Sequence, residues 1–140
     1  MTNRNLALIV KEQNPLMLAS SASLKEAAAR MADRRIGAVL VTDAAQRLVG
    51  IFTGRDAVRV LGEGRDPSAT TLATVMTAGP KTLGPESTAI DALRAMVAGG
   101  FRHVPIVDGE KIIGIVSRSD FQGLELDRLE EEVALWERMG

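Results

Sequence analysis

Two short segments of the chain place a hydroxyl residue three positions before an aspartate. Gly50-Ile51-Phe52-Thr53-Gly54-Arg55-Asp56 is the first, and Gly114-Ile115-Val116-Ser117-Arg118-Ser119-Asp120 is the second. Each follows an apolar run, so each marks a strand-to-helix corner. The simpler interpretation is a helix cap. The functional one is a carboxylate that binds a ribose diol, with the hydroxyl, the helix N–H groups and a nearby Arg facing phosphate. Repetition leaves both open, because duplicated folds need duplicated caps.

The composition removes the residues on which most catalytic and metal sites depend. The chain has no Cys and one histidine, His103. Disulfides, thiolate zinc sites, a Cys nucleophile and a His-rich metal site are therefore excluded, and a Ser-His-Asp triad would have to include His103. No Ser or Asp pattern points to that histidine. We therefore predict no enzyme activity, no metal and no covalent cofactor.

The charge and hydropathy are those of a globular protein. Among 140 residues, 17 Lys and Arg oppose 18 Asp and Glu, which gives a formal charge of −1, and 46% of the residues are hydrophobic. Near-neutral charge with three Phe, one Trp and no Tyr disfavours nucleic acid as a partner. No apolar run is long enough to span a membrane and the N-terminus lacks a signal-peptide pattern, so we expect a cytoplasmic protein.

The chain contains an internal duplication. A shift of 65 aligns residues 10–43 with 75–108, and a shift of 64 aligns the residues after the next turn, with ten identities in 44 positions. Each copy predicts the order β-α-β-β-α, with capping-box-like helix starts at Ser23 and Thr88 and a hairpin signal at Asp108-Gly109. The predicted division is repeat 1 over 1–61, a linker over 62–71, repeat 2 over 72–122 and a C-terminal amphipathic helix over 123–140.

These motifs resemble a tandem pair of CBS domains, the module first named from cystathionine β-synthase. The resemblance covers residues about 9 to 122 and rests on the duplication, on the twin corners, on Val75-Met76-Thr77 and on Arg102-His103-Val104-Pro105-Ile106-Val107-Asp108. It implies an α/β (α+β) fold of two β-α-β-β-α units about a pseudo-two-fold axis. It also implies clefts that bind AMP, ADP, ATP or S-adenosylmethionine as a regulatory ligand.

Transferred residue by residue, the resemblance implies two unequal clefts. The first would hold the ribose on Asp56 and Thr53, with the base and phosphates contacted by Met76, Thr77, Lys81, Arg102 and His103. The second would use Asp120 and Ser117, faced by Val10, Lys11, Leu16, Gly37 and Ala38. Because Gly37-Ala38 align with Arg102-His103, the Asp56 cleft is expected to bind phosphate-bearing ligands more tightly.

The C-terminal segment has its own pattern. Leu126, Leu129, Val133 and Trp136 form one stripe of an acidic amphipathic helix, which would pack on its own chain, on a twin subunit or on another protein. We therefore expect a stand-alone regulatory ligand sensor that forms a homodimer. The alternative is a ligand-free dimerisation or interaction module that docks a protein partner through this helix.

Overall fold

The computed structural model describes residues 4–121, 131, 132 and 134–139. The elements follow one another in a mixed α/β order, in which the strand and helix pattern of the first copy recurs in the second. They are α1 Leu6–Ile9, β1 Met17–Ala19, α2 Leu24–Arg34, β2 Ala38–Thr42, β3 Leu48–Thr53, α3 Gly54–Gly62, α4 Leu72–Val75, β4 Thr77–Ala78, α5 Ala89–Gly99, β5 His103–Asp108, β6 Lys111–Ser117 and a 3₁₀ turn Arg118–Asp120. Residues 131, 132 and 134–139 are helical and form the C-terminal helix.

The chain forms two compact units, and one of them is built from both ends of the sequence. The central unit is Asn14–Pro80, and the terminal unit combines Met1–Gln13 with Lys81–Gly140. The residues before β1 therefore pack with the second copy, while α4 and β4 pack with the first. Packing divides the chain differently from the sequence repeats, because each copy is completed by the segment that precedes the other copy.

The central unit contains a four-stranded sheet in the order β1-β2-β3-β4. β1 runs parallel to β2, whereas β2 pairs antiparallel with β3, and β3 with β4. The turn before β3 is stabilised by Asp43, whose Oδ1 accepts hydrogen bonds from the N–H groups of Ala45 and Arg47. The core side chains come from the three helices α2, α3 and α4, from strands β1, β2 and β3, and from the residue before β1: Leu16, Leu18, Leu24, Ala27, Met31, Val39, Val41, Phe52, Val60, Leu72 and Val75.

The terminal unit is built on the β5-β6 hairpin. Asp108 pairs with Lys111 across a two-residue turn, and Gly109 adopts a φ of 63°, which favours glycine. The predicted strand at residues 81–83 contributes one parallel bridge, from Leu83 to Ile106. The core is formed by Leu6, Val10, Ala89, Ile90, Ala92, Leu93, Met96, Val104, Ile106, Val116 and Phe121.

The local signals in the sequence are found in the structure. Thr88 and Asp91 form the predicted reciprocal capping box of α5, and Ser23 Oγ accepts a hydrogen bond from Glu26 N at the start of α2. α3 ends at Gly62, where the glycine-rich segment was predicted to stop a helix. The helix predicted near Asp120 begins as a 3₁₀ turn, and residues 122–130 lie outside the described part of the chain.

The C-terminal helix is bonded to α5 of the same unit. Arg94 Nη2 donates to Glu132 Oε1 at 2.7 Å, and Arg94 Nε donates to Glu132 Oε2 at 3.1 Å. Of the predicted apolar stripe, Trp136 is half-buried, and the other three positions lie outside the described residues. Among the described residues, no helix is long and apolar enough to cross a membrane.

Candidate functional site

The central corner is the junction of β3 and α3, from Thr53 to Asp56. Thr53 N donates to Asp56 Oδ2 at 2.9 Å, and Thr53 Oγ1 donates to the same oxygen at 3.0 Å. In return, Asp56 N donates to Thr53 Oγ1 at 3.3 Å. These three bonds form a capping box, so the cap predicted from the hydroxyl and acid spacing is present. They also fix the carboxylate through one of its two oxygens.

The second carboxylate oxygen of Asp56 has a different environment. Oδ1 lies 3.6 Å from Arg59 Nη2, which is an ion-pair distance longer than an ordinary hydrogen bond. The Asp56 side chain is 19% exposed. The cap therefore uses Oδ2, while Oδ1 faces the Arg59 guanidinium.

The helix amides at this corner are largely used within the protein. Gly54 N donates to Gly37 O at 3.0 Å, and Asp56 N donates to Thr53 Oγ1. The cap and the carbonyl of Gly37, just before β2, therefore occupy two of the first three amides of α3. The predicted contact of helix N–H groups with a phosphate stays a prediction.

Met76 and Thr77 pack in the same unit as Asp56, although they belong to the second sequence repeat. Thr77 pairs with Ile51 of β3, two residues before Thr53. Met76 covers Gly50 so closely that a Cβ at Gly50 would lie 2.3 Å from the Met76 sulfur. Thr77 is exposed and Met76 is half-buried, so both side chains can contribute to a surface beside β3.

The terminal corner is the equivalent junction, from Ser117 to Asp120. Ser117 N donates to Asp120 Oδ2 at 2.6 Å, and Ser117 Oγ donates to that oxygen at 3.3 Å. Ser117 Oγ also lies 2.8 Å from Ser119 Oγ. Arg4 Nη2 donates to Asp120 O at 3.1 Å. The carboxylate is again fixed through Oδ2, and the main chain is anchored by an arginine from the start of the chain.

Arg102 and His103 lie beside this terminal corner. His103 pairs with Ser117 across the β5-β6 hairpin, and Arg118 N donates to Arg102 O at 3.1 Å. This neighbourhood follows from the antiparallel hairpin, which brings the start of β5 next to the end of β6. The contact of Arg102 and His103 with a ligand held at Asp56 stays a prediction.

The equivalent pair, Gly37 and Ala38, lies beside the central corner for the same reason. Ala38 pairs with Thr53, and Gly37 O accepts the hydrogen bond from Gly54 N. Within each unit, Arg102 and His103 therefore lie beside Ser117 and Asp120, and Gly37 and Ala38 lie beside Thr53 and Asp56. The predicted inequality in phosphate binding stays a prediction.

The charge of His103 depends on its neighbours at this corner. Burial lowers the pKa of His103 below its ordinary value, the Arg102 guanidinium lowers it further, and the Asp120 carboxylate opposes both effects. His103 is therefore mainly neutral at pH 7 in the free protein.

The remaining predicted site residues are distributed over both units. Lys81 is exposed in the terminal unit, so its predicted contact with a base held at Asp56 stays a prediction. Lys11 is exposed in that unit as well. Val10 and Leu16 are 4% and 3% exposed in the two cores, so their side chains stabilise the fold and do not line an open surface.

The comparison with protein families follows the same two copies. The family model for the CBS domain matches residues 9–63 and again residues 72–124. The chain belongs to the CBS-domain family. The tandem pair of CBS domains implied by the resemblance is therefore confirmed, and the two corners occupy equivalent places in the two domains.

Individual CBS-domain proteins are similar over most of this chain. A CBS domain-containing protein of Arabidopsis thaliana, CBSCBSPB2, is 45% identical over 92 residues, which are 65% of this chain and 17% of the relative. The chain spans less than a fifth of the length of the plant relatives that it matches.

Two solved CBS-domain structures contain adenosine compounds. A CBS domain protein from Pyrobaculum aerophilum complexed with AMP superposes with a TM-score of 0.83 at 22% identity, covering 91% of this chain and 98% of that one. The CBS domain pair of protein MJ0100, in complex with 5′-methylthioadenosine and S-adenosyl-L-methionine, gives a TM-score of 0.75 at 25% identity. That match covers 83% of this chain and 94% of the other.

Three residues near the CBS corners were missed by the sequence analysis. Arg59 lies three positions after Asp56 on α3, and this helical spacing could have revealed the ion pair. Arg4 and Gln13 gave no comparable signal, because their contacts with Asp120 and Ile115 join residues more than a hundred positions apart.

Proposed function

We propose that this chain is a regulatory CBS pair without catalytic activity that binds adenosine-containing ligands at its two corners. The observation that carries the proposal is the fixed carboxylate at each corner. Asp56 and Asp120 each accept the main-chain N–H of a hydroxyl residue through Oδ2. A carboxylate fixed in this way keeps its orientation and can accept the two hydroxyls of a ribose without first losing rotamer freedom. AMP and S-adenosylmethionine in two related structures support the adenosine class.

The terminal corner is the proposed site for a phosphate-bearing ligand such as AMP, ADP or ATP. Arg102 is exposed there, and His103 is half-buried beside Ser117. A phosphate dianion would pair with the Arg102 guanidinium and would favour the protonated form of His103. Asp120 and Ser117 would then hold the ribose, so this corner would bind both parts of a nucleotide.

The central corner is the proposed site for a less charged adenosyl ligand. Gly37 and Ala38 stand where the terminal corner has Arg102 and His103, and neither residue has a polar or charged side chain that could bind phosphate. Asp56 and Thr53 would hold the ribose, while Met76 and Thr77 would contact the base from beside β3. Lys81 stays a proposed ligand contact in the adjoining segment. The polarizable Met76 thioether suits contact with an aromatic ring.

Titration calorimetry of the full chain with AMP, adenosine, 5′-methylthioadenosine and S-adenosylmethionine tests this proposal. GMP serves as the control for the base, and 2′,3′-dideoxyadenosine as the control for the ribose diol. Thermal unfolding gives a second readout, because a ligand at 100 times its Kd adds about 2.7 kcal/mol of stability. Equal binding of adenosine and 2′,3′-dideoxyadenosine would contradict the carboxylate role, and a chain that binds none of the adenosine compounds would reject the function.

The second candidate is a protein-interaction module without a ligand. The observation that favours it is exposed apolar surface on the C-terminal helix, where Leu135 is 46% exposed and Met139 is 76% exposed. Under this alternative a partner would cover that surface. Leu135→Glu would then abolish partner recovery in pull-downs with the full chain and leave adenosine titrations unchanged.

We also propose that the chain forms a homodimer, and that it is cytoplasmic. Val58 is 70% exposed and Leu61 is 57% exposed on α3, and a second copy of the chain would cover this apolar surface. Light scattering from micromolar to near-millimolar concentration tests the dimer. A constant mass of 14.9 kDa would reject it.

A further inference from the structure

Arg59 contacts three groups around the central corner. Its Nη2 atom lies 3.6 Å from Asp56 Oδ1 and donates to Val75 O at 3.2 Å. Its Nη1 atom lies 3.6 Å from Glu63 Oε2. The guanidinium is therefore held between the last residue of α4 and the end of α3, with one edge towards the Asp56 carboxylate.

We propose that Arg59 is a positioning residue that fixes Asp56 for the ribose hydroxyls of the ligand. This inference rests on the proposed function and adds a residue that acts through Asp56 without touching the ligand. Thr53 fixes Oδ2 of the carboxylate by two hydrogen bonds, and the Arg59 guanidinium faces Oδ1 and restrains its direction. At 3.6 Å the guanidinium attracts Oδ1 without an ordinary hydrogen bond, so the oxygen keeps its lone pairs for a hydroxyl donor.

Val75 O is the anchor that makes this arrangement specific. An exposed ion pair alone contributes little stabilising free energy, because two long side chains lose rotamer freedom to form it. The Arg59 side chain is 50% exposed, and its bond to a main-chain carbonyl of α4 reduces the freedom that remains to be lost. Met76 and Thr77 directly follow Val75 in the chain. Arg59 therefore links the Asp56 carboxylate to the segment that would contact the base.

An arginine three positions after the corner aspartate is present in the first copy of the sequence and not in the second. The shift of 64 that aligns Asp56 with Asp120 aligns Arg59 with Gly123, which has no side chain to pair with a carboxylate. Gly123 lies outside the described residues. The two corners therefore keep the same acid and differ in what fixes its second oxygen.

Site-resolved NMR of the 15N-labelled full chain tests the proposal with and without ligand. The variants are Arg59→Met, the conservative Arg59→Lys, and Arg47→Met as the matched control. Arg47 pairs with Asp43 at 3.1 Å at the opposite end of β3 from Thr53, so its loss removes the same charge and a similar ion pair. In the free protein, Arg59→Met should move the Thr53 amide resonance, because that amide donates to Asp56 Oδ2, and Arg47→Met should not.

The ligand measurements follow the Thr53 and Thr77 amides during titration. Arg59→Met should weaken adenosine about three- to tenfold and leave 2′,3′-dideoxyadenosine within about twofold, since only the diol contacts Asp56. Arg59→Lys should recover part of the loss, and Arg59→Met in an Asp56→Asn background should add less than about twofold.

An equal loss for both ligands, a loss that persists with Asp56→Asn, or tighter adenosine binding in Arg59→Met would overturn the inference. A Thr53 resonance that does not respond to Arg59→Met would overturn it without any ligand. A wild-type chain that binds no adenosine compound, while Thr53 does respond, would reject the proposed function and leave Arg59 as the residue that positions Asp56.

Discussion

The central and terminal corners have the same hydroxyl and carboxylate and differ in the residues that surround them. Thr53 and Asp56 are accompanied by Gly37, Ala38 and Arg59, whereas Ser117 and Asp120 are accompanied by Arg102, His103 and Arg4. At the central corner the arginine forms an ion pair with the acid itself. At the terminal corner Arg102 and His103 adjoin the acid, and we propose that they bind the phosphate of the ligand. Two copies of a motif can therefore keep the same hydroxyl and carboxylate, while the residues beside them differ in which other ligand groups they could bind.

The largest expected effect is the difference between the two aspartates in AMP binding. Asp120→Ala should weaken AMP about thirty- to hundredfold, because it removes a charged acceptor of the ribose hydroxyls beside Arg102 and His103. Asp56→Ala should change the tightest AMP phase by less than about threefold. Titration calorimetry measures both, with thermal unfolding to show that each variant is folded. If Asp56→Ala weakened AMP more than Asp120→Ala, the result would support the sequence-based prediction that the phosphate binds at the Asp56 cleft.

Gly50 and Gly114, which occupy equivalent positions in the two copies, should differ in how much stability is lost when each is replaced by alanine. At Gly114 a Cβ would lie 2.5 Å from Val10 Cβ and 2.8 Å from Gln13 Oε1, while at Gly50 the nearest atom is the sulfur of the flexible Met76, at 2.3 Å. We expect Gly114→Ala to cost about 2–3 kcal/mol of unfolding free energy and Gly50→Ala about 1 kcal/mol. Urea unfolding measures both, with Gly62→Ala as the control, since nothing lies within 4 Å of a Cβ there. Equal costs would mean that Met76 is as firmly held as Val10.

The contribution of the Arg102 charge to ligand binding should be separable from that of the ribose contact. Arg102→Met should weaken AMP about three- to tenfold at low salt and leave adenosine unchanged, because Arg102 is exposed and would meet the phosphate only. The difference between wild type and variant should shrink as salt rises, since exposed charges are screened over about 8–10 Å at 0.1–0.15 M. Calorimetry at two salt concentrations measures it. A salt-independent loss, or one shared by adenosine, would contradict a phosphate contact.

The smallest expected effect is the pH dependence that His103 contributes. Its pKa in the folded chain is lowered by burial and by Arg102, so the unfolded state binds the proton first as pH falls. The contribution is therefore neutral above the unfolded pKa of about 6.5 and becomes destabilising as pH falls below it. We expect the Tm of wild type to drop by about one degree more than that of His103→Gln between pH 7.5 and pH 5.5. Parallel pH profiles would show that His103 titrates normally.

Much of the fold could be predicted because its signals are local. The capping box of Thr88 and Asp91, the hairpin at Asp108-Gly109 and the two corners each join residues at most three positions apart. α1 and α4 were not predicted, because each has only four residues and is held by bonds to distant loops, as when Leu6 N donates to Ser87 O. Helices that short are unstable by themselves, so their sequences contain little pattern.

The candidate site divides in the same way. The sequence by itself determined the two copies, the chemistry of each corner and the fact that one copy has Arg102-His103 where the other has Gly37-Ala38. Tertiary structure shows which residues lie beside each corner within its own unit, because antiparallel pairing places His103 opposite Ser117 and Ala38 opposite Thr53. It also decided that Arg59 reaches Val75 and that Arg4 reaches Asp120. Contacts within one turn follow from spacing along the chain, whereas contacts over sixteen or a hundred positions depend on how the elements pack.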